Sequence, residues 1–278
     1  MRLLPFHGPR RTARADAVVT GAGSGIGRAF AVELGGRGGR VLCSDLDADR
    51  AAETADLVER AGGAALAARC DVTASAEVTA LAAVAQDWFG AAPTLVIDNA
   101  GIGAGGPPVG AFTLDDWHRT LAVNLWGVVH GCHVFAPLLR AAGRGTVVNV
   151  ASAAAFGAAP RMAAYNVSKA GVLALSETLA AELAGTGVGV TVLCPTAVRT
   201  GILREDSPLD AMAERFGAVL LRWTGRAPES IARAALAAVD RGELYVVPQL
   251  EAKLLWQAKR WMPATFTRSA GLLERLVR

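Results

Sequence analysis

What most constrains the fold of this chain is a rhythm: short apolar, β-branched runs alternate with longer segments of helical periodicity. Ala17 to Thr20 is the first run; it ends in Gly21, and Ile26 to Leu34 then carries apolar residues at helical spacing. The pattern repeats as strand Arg40 to Ser44, helix Asp47 to Arg60, strand Ala65 to Cys70 and helix Ala74 to Phe89. It continues with strand Thr94 to Ile97, a long helix from Asp115 to Ala142, strand Gly145 to Val150 ending at Ala151 and Ser152, and a second long helix from Ala163 to Ala184. Val188 to Leu193, Pro228 to Arg241 and Leu244 to Val247 read as strand, helix and short strand. Such alternation requires right-handed crossovers and a parallel sheet covered on both faces. The expectation is an α/β fold with seven strands in one doubly wound sheet, its ligands beyond the carboxyl ends of the strands.

With 278 residues, 52% hydrophobic and 19% charged, the chain has enough apolar surface for one large core. The expected division is a basic flexible leader over 1–14, a catalytic domain over 15–248, and an amphipathic basic helical extension over 249–278. Within the domain, 200–224 is irregular and apolar, with Leu203, Met212, Phe216 and Leu220 among its residues, and suits a substrate lid. The formal charge of +3 is uneven: residues 1–14 hold four arginines and no acid, and 253–278 hold six basic groups against Glu274 alone. Without those ends the body has 18 basic and 24 acidic groups, net −6, which argues against a nucleic-acid binder.

The four cysteines, Cys43, Cys70, Cys132 and Cys194, have no disulfide-framework or metal-ligand spacing and read as buried thiols of a cytoplasmic protein; no metal site is expected. His130 and His133 lie one turn apart, without acids or thiols at ligand spacing, and read as packing residues. The N-terminus lacks the apolar segment of a secretory signal, and no run of about 18 apolar residues is read as crossing a bilayer.

Between the first strand and first helix stands Thr20-Gly21-Ala22-Gly23-Ser24-Gly25-Ile26-Gly27. Glycines here permit backbone conformations closed to other residues and let a pyrophosphate approach the helix N-terminus, where free N–H groups favour an anion. Asp45 ends the second strand 18 residues after Gly27, near the spacing expected of an acid that binds the adenosine ribose. Its carboxylate would repel a 2′-phosphate by about 4 kcal/mol per charge pair at short range. NAD is therefore expected over NADP, with Arg28 and Arg40 as the nearby cations that bear on this choice.

Tyr165-Asn166-Val167-Ser168-Lys169 places a phenol and an ammonium group on one helix face. A phenol ordinarily titrates near 10, so a base acting near neutral pH needs a nearby positive charge, which Lys169 is expected to supply.

Over residues 15–248 these motifs resemble the short-chain dehydrogenase/reductase family, in the branch with TGxxxGxG and YxxxK patterns. Asn99-Ala100-Gly101 matches its NAG element, Asp71-Val72 the pair beside the adenine, and Asn124, Ser152, Tyr165 and Lys169 its catalytic tetrad. The resemblance implies a Rossmann-type domain that oxidises a secondary alcohol or reduces a ketone. Tyr165 would exchange the hydroxyl proton, Ser152 would bind the substrate oxygen, Lys169 would hold the nicotinamide ribose, and Asn124 would fix a water leading to solvent. The cofactor would lie against Gly21, Ser24, Gly25, Ile26, Gly27, Asp45, Leu46, Asp71, Val72, Asn99, Ala100, Gly101, Tyr165, Lys169, Pro195, Val198 and Thr200. Ser152, Ala154, Phe156, Met162 and Leu203 would meet the substrate, a bulky hydrophobic alcohol or ketone.

There are two departures from the pattern. Asp98 stands where the family usually has Asn, and Thr196 occupies the glycine position of the PGxVxT segment, for which a local backbone adjustment is expected. Homodimers or homotetramers are implied by analogy. The alternatives of another kind are an NADPH-dependent ketoreductase of acyl-thioester or polyketide type, and a non-catalytic NAD-binding sensor. In the extension, Leu254, Leu255, Ala258, Trp261 and Met262 trace one apolar helical face up to Pro263. It reads as closing the substrate lobe or a subunit interface, or as peripheral attachment to an anionic membrane through Trp256 and Trp261.

Overall fold

The structure, a computed structural model, describes residues 11–199 and 225–277. Seven strands, β1 (Asp16–Thr20), β2 (Arg40–Asp45), β3 (Ala64–Arg69), β4 (Leu95–Asp98), β5 (Gly145–Val150), β6 (Val188–Leu193) and β7 (Tyr245–Val246), form one sheet. Its order is β3-β2-β1-β4-β5-β6-β7, and every neighbouring pair is parallel. The central strands are fully buried because helices cover both faces, which is why they read as continuous apolar runs rather than alternating ones. The chain reverses direction across the sheet between β1 and β4, and the crevice beyond their carboxyl ends is where such sheets bind ligands.

The helices are α1 (Gly25–Gly36), α2 (Ala48–Arg60), α3 (Ser75–Phe89), α4 (Leu114–Leu121), α5 (Gly127–Ala142), α6 (Ala154–Gly157), α7 (Ala163–Glu182), α8 (Pro228–Arg241), α9 (Leu250–Trp261) and α10 (Pro263–Val277). The single long helix expected over Asp115 to Ala142 is interrupted by a π turn at Ala122–Trp126. By length and composition alone Leu114–Ala142 passes as a membrane span. In the fold it is a core helix: Phe135 and Leu139 are fully buried, and His130 Nδ1 donates to the Val72 carbonyl at 2.8 Å.

At two places the packing departs from the sequence reading. Residues 11–14, assigned to a flexible leader, are tied down: Thr12 is fully buried and donates from its backbone and hydroxyl to the Asp240 carboxylate at 2.9–3.0 Å, and Arg14 N–H donates to Arg37 O. The preceding ten residues lie outside the described part, as do the 200–224 lid, Thr200 and Leu203. The apolar face of α9 is also rotated from the expected one. Ala252, Leu255 and Trp256 turn inward, Trp256 stacking on Phe156 (centroids 5.4 Å apart) and meeting Tyr245 at 5.3 Å. Leu250, Leu254, Trp261 and Met262 face outward. Trp256 finds two ring partners on the inward side, and the small Ala252 is fully buried there. Pro263, read as a helix breaker, ends α9 and opens α10, because proline at a first helical position lacks only an N–H that needs no partner.

Candidate active site

The turn between β1 and α1 is shaped by backbone proximity. Gly21 has φ +62°, and a Cβ there would press on the Ala100 backbone; one at Gly27 would enter the Gly21 carbonyl. Asn99 bridges the same turn, its amide donating to Thr20 O and Gly21 O at 2.9 and 3.1 Å. Thr20, which sequence reasoning treated only as the motif's first letter, pins the other side: its hydroxyl accepts from the N–H groups of Asn99 and Ala100. Ser24 makes no side-chain cap and α1 has no acid in its first turn, so the first N–H groups stay open toward the crevice. That is the environment a pyrophosphate requires.

Asp45 lies beside this cradle. Its carboxylate accepts from Gly23 N at 2.7 Å and Asp47 N at 3.1 Å, so it shapes the turn while presenting negative charge where an adenosine ribose would sit. Leu46 next to it is exposed. Of the two cations weighed against NAD, Arg40 is at the opposite end of β2, paired with Asp16 at 2.7 Å. Arg28 is held by Gly23 O, Thr54 and Glu53. Asp71 folds onto Thr73, and the Val72 carbonyl is held by His130, which fixes that ring's proton on Nδ1; the histidine thus supports the Asp71-Val72 pair in a way that its spacing alone did not reveal. The glycine cradle, the open helix end and Asp45 together fit a dinucleotide.

Asn124, Ser152, Tyr165 and Lys169 converge at the carboxyl ends of β4 and β5. Asn124 is fully buried on the π turn; its side chain accepts from Ile102 N at 2.7 Å and donates to Ile102 O at 2.9 Å. A Cβ on Gly101 would meet Asn124 Oδ1 at 3.2 Å and Lys169 Nζ at 3.5 Å, so both side chains border one small space above that glycine. Lys169 Nζ donates to Val150 O at 2.9 Å and lies 5.8 Å from the Tyr165 ring centre. Ser152 Oγ donates to Pro195 O at 3.4 Å and accepts from Ala154 N at 3.1 Å.

The electrostatics differ from the sequence expectation. Burial pushes the Tyr165 phenol above its ordinary value of 10, and the opposing influence is a hydrogen bond with Ser152 rather than the charge of Lys169. Burial also pulls Lys169 down to about 8. The site as it stands therefore keeps a protonated phenol, a proton donor to a carbonyl oxygen. Ala104, Phe112 and Ala164 form an apolar cluster against Tyr165 with Trp117, and this cluster accounts for the desolvation. It was not legible from spacing, since Phe112 and Trp117 precede Tyr165 by about fifty residues.

The remaining expected substrate residues separate. Ala154 and Met162 flank the groove at the starts of α6 and α7, half-buried. Phe156 is buried and stacked on Trp256, so its ring packs against α9. Pro195 receives the Ser152 hydroxyl, and Val198 is buried in a short parallel bridge with Arg226.

Known proteins share this architecture. The family model described as short chain dehydrogenase matches residues 15–210. A 7alpha-hydroxysteroid dehydrogenase of Escherichia coli (strain K12) is 32% identical over 220 residues, 79% of this chain and 85% of its own. A D-threitol dehydrogenase of Mycolicibacterium smegmatis is 40% identical over 184 residues, 66% of this chain and 70% of its own. The crystal structure of a short chain dehydrogenase/reductase from Burkholderia phymatum in complex with NAD superposes with a TM-score of 0.81 at 32% identity, covering 93% of this chain and 95% of that one. A doubly wound parallel sheet with a glycine cradle at its switch point and an Asn-Ser-Tyr-Lys set at the neighbouring strand ends, matched over most of its length by these relatives, belongs to the short-chain dehydrogenase family, and this chain is one of its oxidoreductases.

Proposed function

We propose that the protein interconverts a bulky, apolar secondary alcohol and the corresponding ketone, with NAD as its hydride carrier. The observation that carries the reading is Tyr165 beside Lys169, whose Nζ lies 5.8 Å from the ring centre and is anchored on Val150 O, next to Ser152 at the end of the sheet that also holds the glycine cradle. NAD when bound supplies or accepts the hydride. Ser152 orients the substrate oxygen, and Tyr165 donates its proton to a ketone or takes one from an alcohol. Lys169 and Asn124 border the space above Gly101 through which that proton is exchanged. Asp45 favours NAD, whereas an NADPH-dependent ketoreductase would need a free cation there, and Arg28 is engaged with Gly23, Thr54 and Glu53. A non-catalytic sensor would have no use for a tetrad in which Asn124 and Lys169 are buried behind half-buried Ser152 and Tyr165.

Of the relatives, one is named for a hydroxysteroid and the other for D-threitol. The apolar cluster at Tyr165 favours the first kind of substrate. The test is reduction of NAD and of NADP, followed at 340 nm, against a panel of hydrophobic and polar secondary alcohols. Turnover with NAD on apolar alcohols is expected, and Tyr165→Phe should lower it by roughly 10² to 10⁴ while the variant still binds NAD. Preference for NADP would remove the role given to Asp45, and turnover confined to small polyols would remove the apolar substrate.

Two further features bear on partners. Trp126, 54% exposed on the π turn, supports burial in a homodimer or homotetramer. On α9 the outward Leu250, Leu254 and Trp261 lie along one stripe with Lys253 and Arg260 beside it, which supports contact of a cytoplasmic protein with an anionic membrane surface. Trp256, stacked on Phe156, takes no part in that contact.

A further inference from the structure

The segment after β6 is held from two sides. On one side the Pro195 carbonyl accepts from Ala153 N at 2.8 Å and from the Ser152 hydroxyl. On the other stands Gln249, fully buried at the N-terminus of α9. Its side chain caps no N–H of its own helix; its Oε1 accepts from Thr196 N at 3.0 Å, and its Nε2 donates to Ala197 O at 3.0 Å. Two residues on, the Glu251 carboxylate accepts the Thr196 hydroxyl at 2.9 Å. Thr196 stands at the glycine position of the PGxVxT pattern, yet it has no left-handed backbone. A glycine there would offer no hydroxyl to Glu251.

We propose that Gln249 and Glu251 are positioning residues that clamp the 195–197 segment, so that the C-terminal helix sets the geometry of the loop beside the nicotinamide. The inference rests on the NAD reading above. Its physical basis is preorganisation: a loop already fixed by three hydrogen bonds, one to a carboxylate, loses less freedom when cofactor binds. It also gives the extension a role that its sequence does not announce, because α9 meets the catalytic side through Trp256 on Phe156 and through this clamp.

The experiment uses the full chain with Thr196→Val, Glu251→Ala, the double variant, and Glu251→Gln, which keeps an acceptor. The NAD dissociation constant is measured by titration calorimetry, KM for NAD and kcat with one alcohol, and amide hydrogen exchange over 194–199 in cofactor-free protein. Thr196→Val and Glu251→Ala should each weaken NAD by about 5- to 20-fold and raise its KM in step, with kcat within about twofold. The double variant should be no worse than either single one, Glu251→Gln should stay near the parent, and exchange over 194–199 should quicken in the affected variants alone. Unchanged NAD affinity and exchange in Thr196→Val and Glu251→Ala, or additive losses in the double variant, would overturn the clamp while leaving the NAD reading intact. Absence of NAD binding by the parent chain would overturn that reading and the clamp's role with it.

Discussion

Asp98, at the carboxyl end of β4, has its side chain buried among neutral groups: the Cys132 thiol at 4.0 Å, the Asn149 amide behind that thiol, and the backbone of Gly131. One of its carboxyl oxygens has no hydrogen-bond partner, and burial pushes its pKa from 3.8 up to about 8. In the unfolded chain the group ionises near 4, so between about pH 4 and 8 the folded state binds the extra proton. The stability it retains below pH 4 is lost progressively as pH rises toward 8. Asp98→Asn removes that titration. The variant is expected to be more stable than the parent at pH 8, by about 2 kcal/mol or more, with the gap closing toward pH 4, as followed by urea denaturation across pH. A constant difference at all pH values would show that Asp98 is ionised in the fold. The sequence marks Asp98 only as a departure from a family pattern; its protonation follows from neighbours on α5 and β5.

The segment from α4 to α5 carries the clearest difference between local pattern and realised element. Periodicity reads it as one helix, and each half is one, but the π turn shifts the phase so that Asn124 faces Ile102 while Gly127 lies under Val72 and Gly131 on Asp98. No residue type announces a π turn, so sequence periodicity passes through it. Gly131 shows the consequence. In an isolated helix Gly131→Ala would gain about 1 kcal/mol, but here the added methyl group enters the Asp98 carboxyl. The variant should instead lose about 2 kcal/mol or more, seen as a lower Tm. A raised Tm would mean that α5 can move away from β4 freely. The strands and the helices α1, α2, α3, α7 and α8 were legible to within a residue or two, because parallel strands buried on both faces and helices with one apolar stripe have local signatures; the single turn of α6 was not read.

For the whole molecule, the least legible part was how its ends meet its body. Thr12 docks on Asp240, and α9 turns a different face inward than its apolar spacing suggests. The exposed stripe that results leads to a prediction at this scale. The purified protein should cosediment with vesicles containing anionic phospholipid at low salt, lose most of that binding at about 0.5 M salt, and lose it also on Leu254→Ser with Trp261→Ser. Salt-insensitive binding, or binding untouched by the two substitutions, would place the contact elsewhere, and no binding at low salt would remove it. The sequence alone determined the strand and helix order, the glycine turn with its acid after β2, and the Tyr165–Lys169 spacing, because each depends on residues close along the chain. The tertiary structure decided which way Phe156 and Trp256 point, that Tyr165 is desolvated by Phe112 and Trp117, that Asp98 is surrounded by neutral groups, and that Gln249 and Glu251 reach the loop at Thr196. Those outcomes depend on partners distant in sequence, whose approach is set by how the helices seat on the sheet and not by any local pattern.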